Sequence, residues 1–393
     1  MAKAMYVGVD SKARKVKKAY VGVDNIARKI KKAYVGIANV ARLFFSGEPI
    51  FYTVETAGHL SGGAAYPGDR VGDHAIYLSY VWKSNTGNAS QCAVAYSKEL
   101  VYTELDPPQS GSFTPDGQYN NTAYSHFGKT KNHVYISSGA NSNMNHSRPY
   151  ATFSSAYDAN LTRTSFGALA VYGPGGLDAE YTSYTTTKSV KASESAYDRI
   201  VSVVDANLVT STTANLTKNR NYCSGGYGNV GQYALFIGGS SNASGSWVYM
   251  GESSAYSENL VQQSLGTIGV DGSTTTYLYP LGSKTFIYRG KRVFLIDANL
   301  VVTEITAPES FGSYQIPTGE GTNAKLFYLD SDEAGYFSTD GVYVALDIKQ
   351  SGALAVKSAL SGFVLGIPFS NFGILPSRYE NCVVVAKFPD GYS

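Results

Sequence analysis

Six stretches of the chain share one local pattern, and their spacing limits the fold more than any other feature. Each has an apolar run ending in Tyr or Asp, followed by Ala-Asn-Leu or a relative. They are Ala95-Tyr96-Ser97-Lys98-Glu99-Leu100, Ala156-Tyr157-Asp158-Ala159-Asn160-Leu161, Val204-Asp205-Ala206-Asn207-Leu208, Ala255-Tyr256-Ser257-Glu258-Asn259-Leu260, Leu295-Ile296-Asp297-Ala298-Asn299-Leu300 and a degenerate Ala345-Leu346-Asp347-Ile348. The leucines are 61, 47, 52 and 40 residues apart. Asp and Asn cap tight turns with their own side chains, and the Leu reads as an inward anchor for the strand that follows. Upstream lie the apolar strands His74–Tyr80, His133–Ser137, Tyr233–Ile237 and Lys284–Tyr288. A unit of about 50 residues with four short strands cannot bury its own faces and must stack against copies of itself, as the blades of a β-propeller do. Residues 50–393 hold about seven such units, with six as the alternative. The seventh is expected to be composite, built from 362–369 and 382–388 at the end of the chain and Ile50–Glu55 at its start.

Composition agrees with an all-β chain. Of 393 residues only 16% are charged, while 13% are aromatic, with 32 Tyr and 41 Gly. Coiled coils and disordered chains need more charge. Tyr, Ser, Thr, Asn and Gly are expected to fill the surface positions that Lys and Glu usually take.

Residues 1–46 read as a separate unit. Tyr-Val-Gly begins at Tyr6, Tyr20 and Tyr34, a period of 14 residues, and each copy continues to Ala-Arg. Helix is disfavoured because Gly8, Gly22 and Gly36 would each cost about 1 kcal/mol. Alternation favours strands of about ten residues, such as Ala27–Ile37, with turns at 10–12 and 24–26. The segment carries 11 Lys and Arg against two acids, a net +9, so the remainder is −7 and the total of +2 conceals a split. Small isolated sheets are marginal in water, so the segment is read as a docking module that gains order against copies of itself or a partner. Its expected contact residues are Tyr6, Lys15, Lys17, Lys18, Tyr20, Arg28, Lys29, Lys31, Lys32, Tyr34 and Arg42. A nucleic-acid arm is the rival reading, but aromatics for base stacking are few, and no nucleic-acid partner is expected.

Catalytic patterns are weak, and the chain is read as a non-enzyme without metal or cofactor. His59, His74, His126, His133 and His146 form no zinc pattern. His74 and His133 occupy equivalent places before an apolar strand, which repetition explains. Cys92, Cys223 and Cys382 are odd in number and far apart, and are read as buried free thiols. The Gly-rich stretches 173–176 and 224–228 lack the Lys and helix of a phosphate loop, and 330–333 reads as a solvated acidic loop. Paired carboxylates such as Asp178 and Glu180 leave a propeller hydrolase acting on cell-surface polysaccharide as the alternative function. Tyrosine offers a flat apolar face and a hydroxyl, so the aromatic-polar loops are candidate ligand sites through Tyr119, Tyr124, His126, His146, Tyr150, Tyr172, Tyr181, Tyr222 and Tyr227.

The Gly238-Gly239 strand end and the Tyr-Asp turns resemble kelch-type propeller repeats. The Tyr-Val-Gly-Val-Asp and Ala-Arg-Lys-Val-Lys-Lys repeats resemble the starts of tailed-bacteriophage tail, baseplate or fibre-associated proteins. That resemblance implies a virion protein with an attachment segment at 1–46 and a kelch-like propeller over 47–393. Its expected partners are other phage tail proteins, copies of itself in a homo-oligomer such as a trimer, and a host cell-surface glycan or protein. The sequence shows no export signal and no apolar run long enough for a transmembrane helix. It is therefore expected to be made in the host cytoplasm, assembled into the virion and extracellular after lysis.

Overall fold

The computed structural model describes residues 6–9, 12–15, 20–23, 26–29, 32–37, 40–46, 50–60, 64–83, 88–108, 126–138, 153–167, 182–192, 201–216, 226–241, 248–250, 252–269, 276–281, 283–289, 292–305, 314–317, 326–329, 334–337, 342–345, 367–369 and 372–387. All regular elements among them are β-strands.

The N-terminal repeats each form one hairpin: β1 (Tyr6–Val9) with β2 (Lys12–Lys15), β3 (Tyr20–Val23) with β4 (Ile26–Lys29), and β5 (Lys32–Ile37) with β6 (Val40–Ser46). The expected ten-residue strand Ala27–Ile37 is therefore wrong, because it spans parts of two hairpins. Two-residue connections rich in Asp and Asn favour tight hairpins, and they close each 14-residue repeat on itself. The register repeats too: Gly8 faces Ala13, Gly22 faces Ala27 and Gly36 faces Ala41.

Among the described residues the rest forms seven four-stranded antiparallel sheets and one two-stranded hairpin. Blade 1 is β8 (Ala64–Val71), β9 (His74–Lys83), β10 (Asn88–Ser97) and β11 (Tyr102–Leu105). Blade 2 is β12 (His126–Lys129), β13 (Val134–Ser138), β14 (Phe153–Tyr157) and β15 (Arg163–Phe166). Blade 3 is β16 (Thr182–Tyr184), β17 (Ser189–Ala192), β18 (Val201–Val204) and β19 (Thr210–Thr213). Blade 4 is β20 (Gly226–Val230), β21 (Tyr233–Ile237), β24 (Glu252–Tyr256) and β25 (Gln262–Thr267), with an extra hairpin of β22 (Gly239–Ser241) and β23 (Val248–Met250) between its second and third strands. Blade 5 is β26 (Thr276–Leu281), β27 (Lys284–Arg289), β28 (Arg292–Asp297) and β29 (Val302–Ile305). Blade 6 is β30 (Tyr314–Pro317), β31 (Leu326–Leu329), β32 (Ala334–Phe337) and β33 (Tyr343–Ala345). Blade 7 is β34 (Ile367–Pro368), β35 (Phe372–Pro376), β36 (Cys382–Lys387) and β7 (Ile50–Glu55).

The composite seventh blade forms as expected: Ile50 pairs with Lys387 and Glu55 with Cys382. First strands of neighbouring blades lie side by side, with β8 against β12, β12 against β16, β16 against β20 and β20 against β26. β34 against β8 closes the ring. The degenerate sixth copy of the repeat is corrected. Ala345 ends the fourth strand of blade 6, at the far end of the pairing of β32 with β33, so this copy does not stand where the other five do. Residues 338–341, between those two strands, lie outside the described residues.

The core lies between blades. Ile76, Leu78 and Ala95 of blade 1 pack with Val134, Ile136 and Tyr157 of blade 2. Val190 and Val201 of blade 3 pack with Phe236 and Tyr256 of blade 4. Phe286 of blade 5 meets Phe337 of blade 6 with ring centroids 4.7 Å apart. Several tyrosines expected on the surface are buried, among them Tyr77, Tyr96, Tyr135, Tyr157 and Tyr256. Their hydroxyls tie blades together. Tyr157 donates to the Asp106 carbonyl at 2.7 Å and Tyr256 to the Ala214 carbonyl at 2.9 Å, each just past the preceding blade's last strand. Tyr77 donates to the Ile374 carbonyl and accepts from the Ile367 amide, spanning the closure. A buried phenol must find a partner or lose a hydrogen bond, so these ties hold register between sheets that share no backbone ladder.

Candidate ligand-binding face

Antiparallel order gives the propeller two unlike ends. First-to-second and third-to-fourth strand connections fall at one end, and second-to-third and blade-to-blade connections at the other. The first is the turn end. Its third-to-fourth turns are built alike: the Asp158 carboxylate accepts from the Asn160 and Thr162 amides, both at 2.9 Å, and Asp205 and Asp297 act identically in their blades. Ser97 and Ser257 substitute their hydroxyls. Every anchor leucine has a positive φ, 67° at Leu100, 64° at Leu161, 64° at Leu208, 62° at Leu260 and 64° at Leu300. A branched side chain in this left-handed region costs about 1 kcal/mol. Packing explains why it is retained: each leucine fills the seam with the preceding blade, as Leu161 does against the blade 1–blade 2 cluster and Leu300 against the blade 4–blade 5 cluster.

Turns of neighbouring blades also touch. A Cβ at Gly72, where φ is +56°, would sit 2.9 Å from the Ala159 Cβ of blade 2. Asn132 of blade 2 donates to the Ala206 carbonyl of blade 3 at 3.2 Å. Glu258 of blade 4 accepts from the Lys188 Nζ of blade 3 at 2.8 Å, from the Thr187 amide at 3.2 Å and from the Thr187 hydroxyl. Partial burial opposes ionisation of Glu258, but the hydrogen bonds from Lys188, Thr187 and Thr185 together outweigh it and hold the carboxyl at about 2. His74 and His133 both lie at this end. Burial lowers the His133 pKa, with Asp158 opposing. Their equivalent places support the structural role read from repetition. Near this end Lys129 of β12 pairs with Asp69 of β8 at 3.0 Å and lies 5.7 Å from the centre of the Tyr184 ring of β16, linking three first strands.

The loop end is elaborated instead. The extra hairpin β22–β23 rises there. The β9–β10 ladder continues past the fourth strand, which stops opposite Ala93. Of the candidate ligand residues, His126 opens β12 and Tyr227 is the second residue of β20, so both backbones stand at the loop end of first strands. Tyr119, Tyr124, His146, Tyr150, Tyr172, Tyr181 and Tyr222 lie outside the described residues. The acidic pairs at 178–180 and 330–333 lie outside them too. Of the docking residues, Tyr6, Lys15, Tyr20, Arg28, Lys29, Lys32, Tyr34 and Arg42 fall on hairpin strands, and Lys17, Lys18 and Lys31 lie outside the described residues.

Two loop-end features carry no repeat signal. The Arg289 guanidinium is buried against the backbone of Gly238, where φ is +62° and a Cβ would lie 1.5 Å from Nη1. The Gly-Gly strand end thus makes room for an arginine of the next blade. The other is the turn 377–381 of blade 7, whose Tyr379 is 73% exposed. Cys382 beside it is free and buried, its thiol pKa pushed up first by burial and then by Glu380. Among the described residues no three His, Cys, Asp or Glu side chains gather as a metal site, and no helix is long and apolar enough to cross a membrane.

The chain is similar to the selenomethionine-substituted virginiamycin B lyase from Staphylococcus aureus, with a TM-score of 0.51 and 11% identity over 86% of this chain and 99% of that one. It is also similar to a streptogramin B lyase structure, with a TM-score of 0.49 and 9% identity over 86% of this chain and 97% of that one. No family model and no curated protein matches the sequence. Proteins of this architecture thus include enzymes, and what the likeness shows of this chain is its fold, an all-β propeller.

Proposed function

We propose that the protein is a structural component of a bacteriophage virion, tail fibre or baseplate-associated. Its N-terminal hairpins dock to the tail, and the loop end of its propeller is displayed to a host-surface glycan or to another virion protein. The carrying observation is polarity. Ile50, where the chain enters the ring, pairs with Lys387 at the turn end. Only three residues separate it from Ser46, the last residue of β6, a span of at most about 14 Å. This polarity supports attachment at one end of the ring and display at the other. The +9 charge of 1–46 and the phage resemblance of its repeats support the docking half. The extra β22–β23 hairpin and the lengthened β9–β10 ladder at the loop end support the display half, since binding residues favour elaborated ends of a rigid scaffold. The reading is of binding without turnover, with other tail proteins and copies of the same chain as partners.

The test is incorporation. A chain reduced to residues 47–393 is expected to be missing from purified particles while the full chain is present. Normal incorporation of the shortened chain would defeat the reading. Incubation with a bound polysaccharide should release no new chain ends, and their appearance would favour the hydrolase instead.

A further inference from the structure

The 377–381 turn of blade 7 is built as a rigid mount for one exposed aromatic ring. Ser377 is buried, and its hydroxyl accepts from the Tyr379 amide at 3.2 Å and the Glu380 amide at 3.0 Å. The Ser377 amide donates to the Cys382 carbonyl at 3.0 Å, and the Cys382 amide to the Glu380 carbonyl at 2.7 Å. The turn is also stapled to the chain leaving β7. The Thr56 amide donates to the Asn381 carbonyl at 2.8 Å, and the Leu60 amide to the Ser377 carbonyl at 3.1 Å. His59 Nδ1 lies 2.7 Å from Asn381 Oδ1. With Nδ1 donating, His59 Nε2 is left to accept and Asn381 Nδ2 to donate. Yet Tyr379 is 73% exposed, whereas the inter-blade tyrosines are almost wholly buried. The fold fixes the backbone under this ring and makes little use of the ring itself.

We propose that this turn is a carbohydrate subsite, with Tyr379 as its stacking platform and Asn381, His59 and Glu380 as its hydroxyl partners. The proposal rests on reading the loop end as the display face. A pyranose presents a flat C–H face and a rim of hydroxyls. The first matches a phenol ring, and the second matches a neighbouring donor, acceptor and carboxylate. A ring on an already ordered turn gives up little freedom on binding.

The test uses the full chain on an array of bacterial-surface oligosaccharides, followed by titration calorimetry with a captured sugar. Tyr379→Ala is expected to weaken binding about tenfold, while Tyr379→Phe, which keeps the stacking face, stays within about twofold. Asn381→Ala should weaken it severalfold, and the melting temperatures of all three should match the parent. Unchanged binding by Tyr379→Ala would overturn the subsite and leave the display reading standing. A parent chain that captures no sugar would overturn the subsite and the glycan half of the display reading together, while the incorporation experiment still decides the docking half.

Discussion

The two ends of the propeller are made from the same strands and obey different rules. At the turn end the same device recurs: a carboxylate or hydroxyl caps the turn, a leucine in the left-handed region plugs the seam, and a small residue touches the blade before. At the loop end the shared feature is smaller: a third-strand tyrosine donates to the carbonyl just past the preceding blade's last strand, as Tyr157 and Tyr256 do, and the rest differs from blade to blade. One blade adds a hairpin, one lengthens its central ladder, and one mounts a bare tyrosine. Ring closure brings these turns against their neighbours, which makes the turn end alike across blades 1 to 5. Among the described residues closure reaches the loop end at fewer points, such as Arg289 against Gly238 and Tyr77 to the Ile367 amide, which leaves this end more room to be specific.

That contrast can be broken by substitution. The largest effect is expected at the loop end, from Gly238→Ala, where two blades meet. It combines a left-handed backbone with a clash against the buried Arg289 and should cost about 2–3 kcal/mol in urea unfolding. Next is Leu161→Ala, which opens the seam between blades 1 and 2 and should cost about 2 kcal/mol. Leu161→Gly should cost less than Leu161→Ala, because glycine alone relieves the positive φ. The opposite order would show that the seam does not hold the strained backbone. Tyr256→Phe removes the tie to Ala214 and should cost about 1 kcal/mol, read from the unfolding midpoint.

Glu258→Gln sharpens the comparison with pH. The carboxyl is held below its ordinary value, so its contribution is full above that value and is lost as the pH falls from about 4.5 towards about 2. Its side chain keeps 25% of its surface in water, which limits the effect to about 1 kcal/mol at neutral pH. The variant should show a flatter acid limb in unfolding scans, and an unchanged limb would remove Glu258 from the turn-end network. The smallest stability effect belongs to Tyr379→Ala, within about 0.5 kcal/mol of the parent.

Much of the turn end was legible in the sequence, because its signals are local. Asp158, Asn160 and Leu161 lie within four residues of one another, and their recurrence gave the unit, its repeat and the closure by Ile50–Glu55. What escaped was contact between blades. The methyl of Ala159 matters because of Gly72, and the Gly238-Gly239 pair because of Arg289. The buried tyrosines matter because of carbonyls 42 or 51 residues away. No local pattern announces such partners. Tyr379 escaped for the opposite reason, since a residue that occurs once leaves no periodic trace. Alternation continues across Ile30-Lys31 from one repeat to the next, but the strand Ala27–Ile37 does not form, because β4 pairs back with β3 and β5 pairs on with β6.

The proposed polarity requires the turn end to face the particle. Electron cryo-microscopy of the assembled particle measures this directly. The account predicts that residues 6–46 and the turn end, with Ile50 and Lys387, face the tail, and that Tyr379 and the β22–β23 hairpin point away from it. A map with the loop end seated on the particle and the turn end exposed would contradict it.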